Sequence, residues 1–303
     1  MKNQCYNALT KLAYWGLPRG IYQLLEVWRD RQSSSSVSGE SESQIAQLAK
    51  GNTAFKNRHQ GDRCFILATG PSVAQQDLSA LSHEHCIAVS HFFLHQNIRT
   101  ISPRYHVVAP YHSPFTFDEV DKLVEGMHDH YSEETTCFFC HVPYRFSTFE
   151  FFRAHPEKSF KNSCFIDYTH SVALDEHNNL SHRMWDIAGS PFQVRTVIYA
   201  AIQLAIYMGF KEIYLVGCDH DYLHDMKRVS HHHFYKEEEG VSDVEHLSAF
   251  TSERWFQEYY YRWKQYRLMQ EYAQKRGSQI LNATRGGMLD VFPRVAIEEV
   301  LNQ

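Results

Sequence analysis

Short apolar runs alternate with segments of helical periodicity along most of this chain. The apolar runs indicate buried strands, and the segments in which apolar residues recur every three to four positions indicate helices. The candidate strands are residues 63–69, 86–90, 105–109, 136–142, 212–218 and 279–283, and the candidate helices are residues 71–82, 116–129, 191–208, 252–276 and 294–302. This alternation predicts an α/β fold with a mainly parallel sheet and helices on both of its faces.

Residues 1–31 have a pattern of their own. Apolar residues, among them Leu9, Leu24 and Trp28, recur there at helical spacing, and lysines and arginines outnumber acidic residues. We therefore expect a basic amphipathic helical segment that contacts an anionic membrane face. The alternative is a helix that docks on the rest of the protein or on a partner.

Residues 32–44 are rich in serine, and Val37 is their single bulky apolar residue. This composition predicts a flexible linker. We therefore expect one folded domain that spans residues 45–303.

Charge and cysteine content exclude some classes of protein. The formal net charge of -5 argues against a nucleic-acid-binding protein, which is usually basic. The seven cysteines are scattered, and no secretory signal precedes them, which favours reduced thiols in a cytoplasm. We expect a cytoplasmic protein that is peripheral at the inner membrane face if its N-terminal segment binds lipid. The oligomeric state stays open, with an oligomer as one alternative.

The segment from Arg63 to Asp77 is the most informative one. A buried strand ends there at the turn Thr69-Gly70-Pro71-Ser72, and a segment of helical pattern follows. Proline suits the first position of a helix, and the free amides of a helix start favour a bound anion. We therefore expect these four turn residues to hold a phosphate group. The alternative is an ordinary turn between a strand and a helix.

Other polar residues follow predicted strands. Ser90 and His91 lie at the end of one strand, and Gly217 and Asp219 lie at the end of another. Ligands of parallel α/β sheets bind beyond the carboxyl ends of the strands. We expect Ser90, His91 and Gly217 to contact the ligand and Asp219 to take part in the reaction. The alternative for Asp219 is that it caps a turn.

A long polar, histidine-rich loop follows at about residues 220–250. Loops of this length are typical of lids or binding loops. Histidine titrates in the range that a general base requires, and we expect His233 to take this role, with His231 as second choice. Tyr222 and Tyr235 are expected to donate hydrogen bonds to a phosphate.

The same loop has two alternative interpretations. Asp219, His220, Asp221 and His233 carry the ligand types of a divalent metal site. Adjacent histidines of a triplet cannot all point the same way, however, and we expect no tightly held metal. The other alternative is a solvated loop without a chemical role.

A last candidate turn, Asn282-Ala-Thr-Arg-Gly-Gly287, follows the final predicted strand. Its glycines let the backbone approach a ligand closely, and Arg285 suits an anionic group. We expect Asn282, Thr284 and Gly286 to contact the phosphate or an acidic sugar.

Two of these motifs together resemble a known enzyme family. They are the strand that ends in Gly70-Pro71-Ser72 and a small-residue helix followed by GFKEIYLVGCD, which ends at Asp219. On these motifs the chain resembles the sialyltransferases of glycosyltransferase family forty-two. It is also similar to the related group that contains 6-hydroxymethylpterin pyrophosphokinase and the Maf-type flagellin glycosyltransferases. In that group a Ser-Val pair begins the helix, where this chain has Thr196-Val197.

The resemblance implies a nucleotide-binding domain of Rossmann type with a small lid region, and it assigns Thr196 to the donor site. It implies a glycosyltransferase that transfers a CMP-linked acidic sugar to a bacterial surface glycan, with a histidine base, tyrosines at the leaving phosphate, no metal and no tightly bound cofactor. One alternative is an ATP-dependent pyrophosphokinase that acts on a pterin-like molecule with Mg²⁺. Another is a non-enzymatic scaffold that recruits a glycan complex.

Overall fold

The structure, a computed structural model, describes residues 39–74, 76–113, 115–189, 191–225, 233–235 and 251–302. Its centre is a seven-stranded sheet in which all neighbouring strands are parallel. The strands are β1 (Arg63–Leu67), β2 (His85–Val89), β3 (Tyr105–Val108), β4 (Thr136–His141), β5 (Ser163–Asp167), β6 (Glu212–Val216) and β7 (Gln279–Asn282). The predicted parallel, Rossmann-like α/β fold is therefore confirmed.

Seven α-helices lie within the described residues. They are α1 (Gly39–Lys50), α2 (Ile98–Ile101), α3 (Phe117–His130), α4 (Thr148–Ala154), α5 (Val197–Tyr207), α6 (Ser252–Lys275) and α7 (Ile297–Leu301). Sequence signals set some of the ends: the Thr116 hydroxyl accepts a hydrogen bond from the Asp118 amide, and Glu119 reaches back to the Thr116 amide, which forms a capping box at α3. No helix of the described part of the chain is long and apolar enough to cross a membrane.

Both faces of the sheet are covered by apolar packing. Along β1, Cys64 and Ile66 belong to one buried cluster, and Phe65 and Leu67 belong to the other. Helices α5 and α6 contribute to the first cluster, and α3, α4 and α7 contribute to the second. Burial of one such large side chain stabilises the fold by about 1.5–3 kcal/mol. The two clusters together therefore hold the sheet firmly between the helices.

The strand order places the candidate site. It runs β5-β4-β3-β2-β1-β6-β7, so the chain moves outward from β1 to β5 and then returns through α5 to β6 on the other side of β1. The connections that follow β1 and β6 lie on opposite faces, because Val73 packs in the second cluster whereas α6 packs in the first. Open parallel sheets bind ligands at such a switch point, at the carboxyl ends of the strands.

The predicted helix over residues 71–82 is wrong. Two short 3₁₀ helices, Pro71–Val73 and Ser79–His83, lie there instead. Between them the Asp77 carboxylate accepts a hydrogen bond from the Ser79 amide at 2.9 Å, and the Asn97 side chain accepts one from the Leu78 amide at 3.1 Å. Side chains that bond to nearby amides in this way compete with a continuous helix.

The predicted linker over residues 32–44 is also wrong in its last part, because α1 begins at Gly39. Glu40 and Glu42 lie in its first turn, where acidic side chains stabilise a helix, and Ser41 and Ile45 are buried. Residues 1–38, and with them the predicted amphipathic segment, lie outside the described residues.

The pattern of apolar residues did not predict strand β5. Strand β5 contains only three consecutive apolar residues, Cys164 to Ile166, and it forms the edge of the sheet beside β4. The Asn52 side chain fixes this edge, since its Nδ2 donates to the Phe165 carbonyl at 2.7 Å and to the Ile187 carbonyl at 2.9 Å.

Candidate functional site

Two loops meet at the switch point, the β1 loop (residues 68–74) and the β6 loop (residues 217–221). The Gly70 amide donates to the Gly217 carbonyl at 2.9 Å. Ser72 donates twice to the Asp219 carboxylate, from its amide to Oδ1 at 3.2 Å and from its hydroxyl to Oδ2 at 2.8 Å. The structure thus brings together the predicted residues that follow β1 and those that follow β6.

This close approach explains two of the glycines. A Cβ atom at Gly70 would lie 1.9 Å from Asp219 Oδ2 and 2.4 Å from the Gly217 carbonyl oxygen. Gly217 has a φ of +73°, and a Cβ atom there would lie 2.6 Å from the carbonyl oxygen of Ala68. A side chain at either position would push the two loops apart.

The amides of the turn that was predicted to hold a phosphate donate to groups of the protein itself. Both relevant amides, those of Gly70 and Ser72, already donate to protein acceptors. The Asp219 carboxylate lies where the phosphate was expected, and Pro71 begins a 3₁₀ helix of only three residues instead of a long helix. In this conformation the two amides are therefore engaged within the protein, and anion binding at this turn stays a prediction.

Asp219 has an unusual electrostatic setting. It is only 5% exposed, and burial, with a smaller contribution from the Asp221 charge, raises its pKa to about 6. The hydrogen bonds from Ser72 favour the ionised form and act in the opposite direction. The carboxyl group therefore changes its charge close to neutral pH, which suits a group that exchanges a proton during a reaction.

The lid tripeptide, His233 to Tyr235, lies on the loops that follow β1 and β2. Nδ1 of His233 and Oγ1 of Thr69 form a 2.9 Å hydrogen bond, and the Phe234 amide donates to the Thr69 carbonyl at 3.0 Å. The Tyr235 hydroxyl lies 3.3 Å from Nδ1 of His91, and its ring stacks on that of His233. The predicted base thus lies beside the β1 loop. The second choice, His231, lies outside the described residues, as does most of the predicted lid.

Ser90 and His91 follow β2 directly. Ser90 has a φ of +49°, a conformation that residues other than glycine rarely adopt and that often occurs at functional sites. Burial, together with the nearby His233, lowers the pKa of His91 to about 4. His91 is therefore neutral at physiological pH. Its contact with the Tyr235 hydroxyl is a hydrogen bond of a neutral imidazole and not of a cation.

Two of the residues expected to contact the ligand after β7 have a structural role instead. The Asn282 side chain donates to the Leu289 carbonyl at 2.7 Å and accepts from the Thr284 amide at 3.0 Å. The Thr284 hydroxyl accepts a hydrogen bond from the Cys218 amide at 3.0 Å. Asn282 and Thr284 therefore hold the β7 turn (residues 283–288) against the β6 loop, and their contact with a ligand stays a prediction.

The two glycines of the β7 turn differ in their surroundings. A Cβ atom at Gly287 would lie 2.6 Å from the Asp219 carbonyl oxygen, so this glycine permits close packing on the β6 loop. Gly286 has open space around it, and its carbonyl accepts a hydrogen bond from Arg294. Arg285 is exposed and forms an ion pair with Glu298 at 3.2 Å, so it does not face the candidate site.

An arginine of helix α6 supplies positive charge near the β6 loop. The Arg262 guanidinium lies 5.8 Å from the ring centre of Tyr222 and 5.7 Å from that of Tyr259. Its Nε and Nη1 atoms are inaccessible to solvent and have no hydrogen-bond partner within the described part of the chain. A buried cation without an acceptor is costly unless an anion binds it, so Arg262 is a candidate contact for a negatively charged ligand. The sequence signal was weak, because Arg262 is one of several cations on this helix.

Helix α6 also fixes the β6 loop itself. The Tyr259 hydroxyl donates to the His220 carbonyl at 2.9 Å and accepts from the Leu223 amide at 3.1 Å. His220 has a φ of +49°, and its Nε2 lies 2.7 Å from the Tyr266 hydroxyl. Burial, together with the charge of Arg262, lowers the pKa of His220 to about 3. Trp255, Tyr259 and Tyr266 of α6 are buried.

Thr196 lies at the start of α5, with extended backbone and no side-chain hydrogen bond to cap the helix. Because α5 leads into β6, this helix end faces the same edge of the sheet as Asp219. The described contacts do not join Thr196 to the lid tripeptide or to the β1 loop.

The alternative metal site of the lid is not supported. Among the described residues, Asp219, His220, Asp221 and His233 do not form a group of converging ligand atoms. Nε2 of His220 is hydrogen-bonded to Tyr266 instead.

Comparisons with known proteins give no family: neither protein-family models nor curated proteins match this chain. The fold and the geometry of the switch point are therefore the basis for a function.

Proposed function

We propose that this protein is a glycosyltransferase of sialyltransferase type, which transfers an acidic sugar from a CMP-linked donor to a bacterial surface glycan. One observation carries the proposal. At the switch point, the β1 loop bonds on one side to a histidine of the lid, through Thr69, and on the other side to the buried Asp219, through Ser72. Such a position is where Rossmann-like sheets bind nucleotides, and the two side chains are the groups that a transfer reaction requires.

His233 is the proposed general base. When its Nδ1–H donates to Thr69, Nε2 carries the lone pair and accepts the proton of the acceptor hydroxyl. The acceptor oxygen then forms a bond to the anomeric carbon, the bond from that carbon to the phosphate oxygen breaks, and its electron pair leaves with CMP. Thr69 is a positioning residue in this scheme, because its hydroxyl bond to Nδ1 orients the imidazole of the base.

The negative charge of the donor is held by side chains and not by the turn amides. Arg262 offers two buried N–H groups near the ring of Tyr222, and the hydroxyl groups of Tyr222 and Tyr235 are proposed to donate to the phosphate. The role first expected of Gly70 and Ser72 thus passes to these groups. No tightly bound cofactor or metal is part of the proposal.

Asp219 is the competing base, since its pKa of about 6 permits proton exchange near neutral pH. The two assignments differ in the effect of two substitutions. If Asp219 is the base, the rate of transfer falls below about pH 6, and Asp219→Asn abolishes activity. If His233 is the base, Asp219→Asn keeps measurable transfer and His233→Ala does not.

A thermal-shift panel tests the donor class. CMP and a CMP-linked acidic sugar are expected to raise the Tm, whereas ATP with Mg²⁺ is not. Arg262→Gln should reduce the shift with the CMP-sugar, and Arg267→Gln, an exposed arginine of the same helix, should not. A shift with ATP and Mg²⁺ alone would favour the pyrophosphokinase alternative. Silence of all these nucleotides would contradict both enzymes and favour the scaffold.

Transfer to an acceptor glycan tests the base. His233→Ala should lower the rate about 10²- to 10⁴-fold and preserve the Tm shift with the donor, because general acid–base catalysis contributes about this factor. His224→Ala, an exposed histidine in the same loop, is the matched control. Full activity of His233→Ala would remove this residue from the mechanism.

The proposal includes a location of the enzyme at the membrane. Residues 1–31 are expected to hold the enzyme on the inner face of the membrane, where lipid-linked acceptors occur. Co-sedimentation with vesicles that contain anionic lipid, compared with neutral vesicles, measures this contact. If as much protein sediments without vesicles as with anionic vesicles, membrane contact by residues 1–31 is contradicted.

A further inference from the structure

A second cluster of histidine and aspartate side chains lies at the amino ends of strands β1 and β2, opposite the switch point. His59 and Asp62 precede β1, and His85 is the first residue of β2. One ligand atom of each residue lies within 4.8 Å of those of the other two. The switch point lies beyond the carboxyl ends of these strands, so this cluster is independent of the site described above.

The distances are those of a metal site. Oδ2 of Asp62 lies 3.3 Å from Nδ1 of His59 and 3.4 Å from Nε2 of His85. Charge-assisted hydrogen bonds are usually shorter, at about 2.7–2.9 Å. Ligands about 2.0–2.1 Å from a tetrahedral zinc ion lie about 3.3–3.4 Å apart, which agrees with both contacts.

The best-buried ligand is already oriented. Nε2 of His59 is hydrogen-bonded to the Tyr105 hydroxyl at 2.7 Å, and the Phe210 ring stacks on its imidazole at 4.7 Å. A partner on the second ring nitrogen is the usual device that aims a metal-binding histidine.

The backbone around the cluster is equally fixed. The His59 amide donates to the Met208 carbonyl at 2.9 Å, and the Lys211 amide donates to the Asp62 carbonyl at 2.7 Å. In contrast, the Asp62 side chain is 50% exposed, and that of His85 is 34% exposed. The three ligands therefore converge from rigid elements and leave one side open to solvent.

We propose that His59, Asp62 and His85 bind a zinc ion, with water as the fourth ligand. Zinc suits two imidazoles and one carboxylate in tetrahedral geometry. The ion would tie the loop before β1 to the start of β2, at the edge opposite the proposed transfer site. The proposal does not depend on the function suggested for that site.

Zinc titration of the metal-stripped full-length protein, in competition with a chromophoric chelator, tests the proposal. The wild type should bind one zinc ion per chain, and cobalt should give the intense visible bands of a tetrahedral site. His85→Ala and Asp62→Asn should each weaken zinc binding by about 100-fold or more, given that loss of even an outer-shell partner costs about 10- to 100-fold. His83→Ala, an exposed neighbour, should leave the affinity unchanged.

A second control addresses the histidine triplet of the lid. A variant with both His231→Ala and His232→Ala should retain the wild-type affinity, and zinc should raise the Tm of this variant but not that of Asp62→Asn. Circular dichroism of the metal-free variants tests whether each is folded. If His85→Ala does not fold, Asp62→Asn decides the outcome, because this substitution removes only a half-exposed carboxylate. Unchanged zinc affinity in Asp62→Asn, absence of zinc binding by the wild type, or loss of binding in the lid variant would each overturn the proposal.

Discussion

Ser72 donates two hydrogen bonds to the carboxylate of Asp219, which lies 147 residues further along the chain. This pair joins the two loops of the switch point and occupies the turn that was expected to bind a phosphate. It also carries a cost, because burial raises the pKa of Asp219 to about 6 in spite of the two donors. At neutral pH the fold therefore retains an ionised buried carboxylate, whose ionisation costs more in the folded protein than in the unfolded chain.

Asp219→Asn is expected to stabilise the protein in a pH-dependent manner. The folded pKa of Asp219, about 6, lies above its reference value of 3.8, so the favourable contribution of the protonated form is complete below about pH 4 and is lost as the pH rises through 6. The difference in unfolding free energy between variant and wild type should therefore grow by about 2–3 kcal/mol from pH 4 to pH 7.5. Urea unfolding across this range measures it, with Asp129→Asn on the exposed end of α3 as control. A difference that does not vary with pH would contradict the assignment.

Gly70→Ala is expected to destabilise the protein by about 3 kcal/mol, at the upper end of the range for overpacking. The new methyl group would meet the Gly217 carbonyl oxygen at 2.4 Å, and a backbone atom cannot move aside as a side chain can. Gly51→Ala, with nothing within 4 Å of the added carbon, is the matched control and should change stability by less than about 1 kcal/mol. Equal effects of the two substitutions in thermal or urea unfolding would show that the loops at the switch point can separate at little cost.

The sequence predicted those parts of the fold that depend on local pattern. Strands β1 and β6 carry long apolar runs that end in a glycine turn, so both their position and the meeting of Gly70, Gly217 and Asp219 at one edge followed from the pattern. Helix α6 was equally clear, because its aromatic residues repeat at helical spacing over many turns.

The remaining features depend on contacts between distant segments. Residues 71–82 have helical periodicity, but the Asn97 side chain and the Asp77 carboxylate hold them in another conformation. The Thr284 hydroxyl pairs with the Cys218 amide, which lies 66 residues away, and no local signal separates this role from ligand binding. The proposed zinc ligand His85 is brought to His59 and Asp62 only by the parallel pairing of β1 with β2.

Asn52→Leu is expected to destabilise the protein by about 2–4 kcal/mol. The Asn52 side chain is buried and donates to two carbonyls, those of Phe165 and Ile187, which the substitution would leave without this donor. Amide exchange of β5 should accelerate more than that of β1, since the lost contacts lie at the edge of the sheet. Thr53→Val, at an exposed neighbouring position, is the control. Wild-type stability of Asn52→Leu would show that other contacts fix this edge.

Thr69→Val is expected to loosen the lid and to slow transfer, whereas Thr69→Ser should preserve both properties. Valine retains the carbonyl that accepts from the Phe234 amide but lacks the hydroxyl that bonds His233, so only the side-chain contact is lost. Since one hydrogen bond contributes about 1 kcal/mol, amide exchange of residues 233–235 should accelerate about fivefold. The rate of transfer should fall by more than this factor, because the hydroxyl also orients the imidazole of the proposed base. Accelerated exchange with unchanged transfer would leave Thr69 as an anchor of the lid that does not position the base, whereas identical exchange in the valine and serine variants would contradict the anchoring role itself.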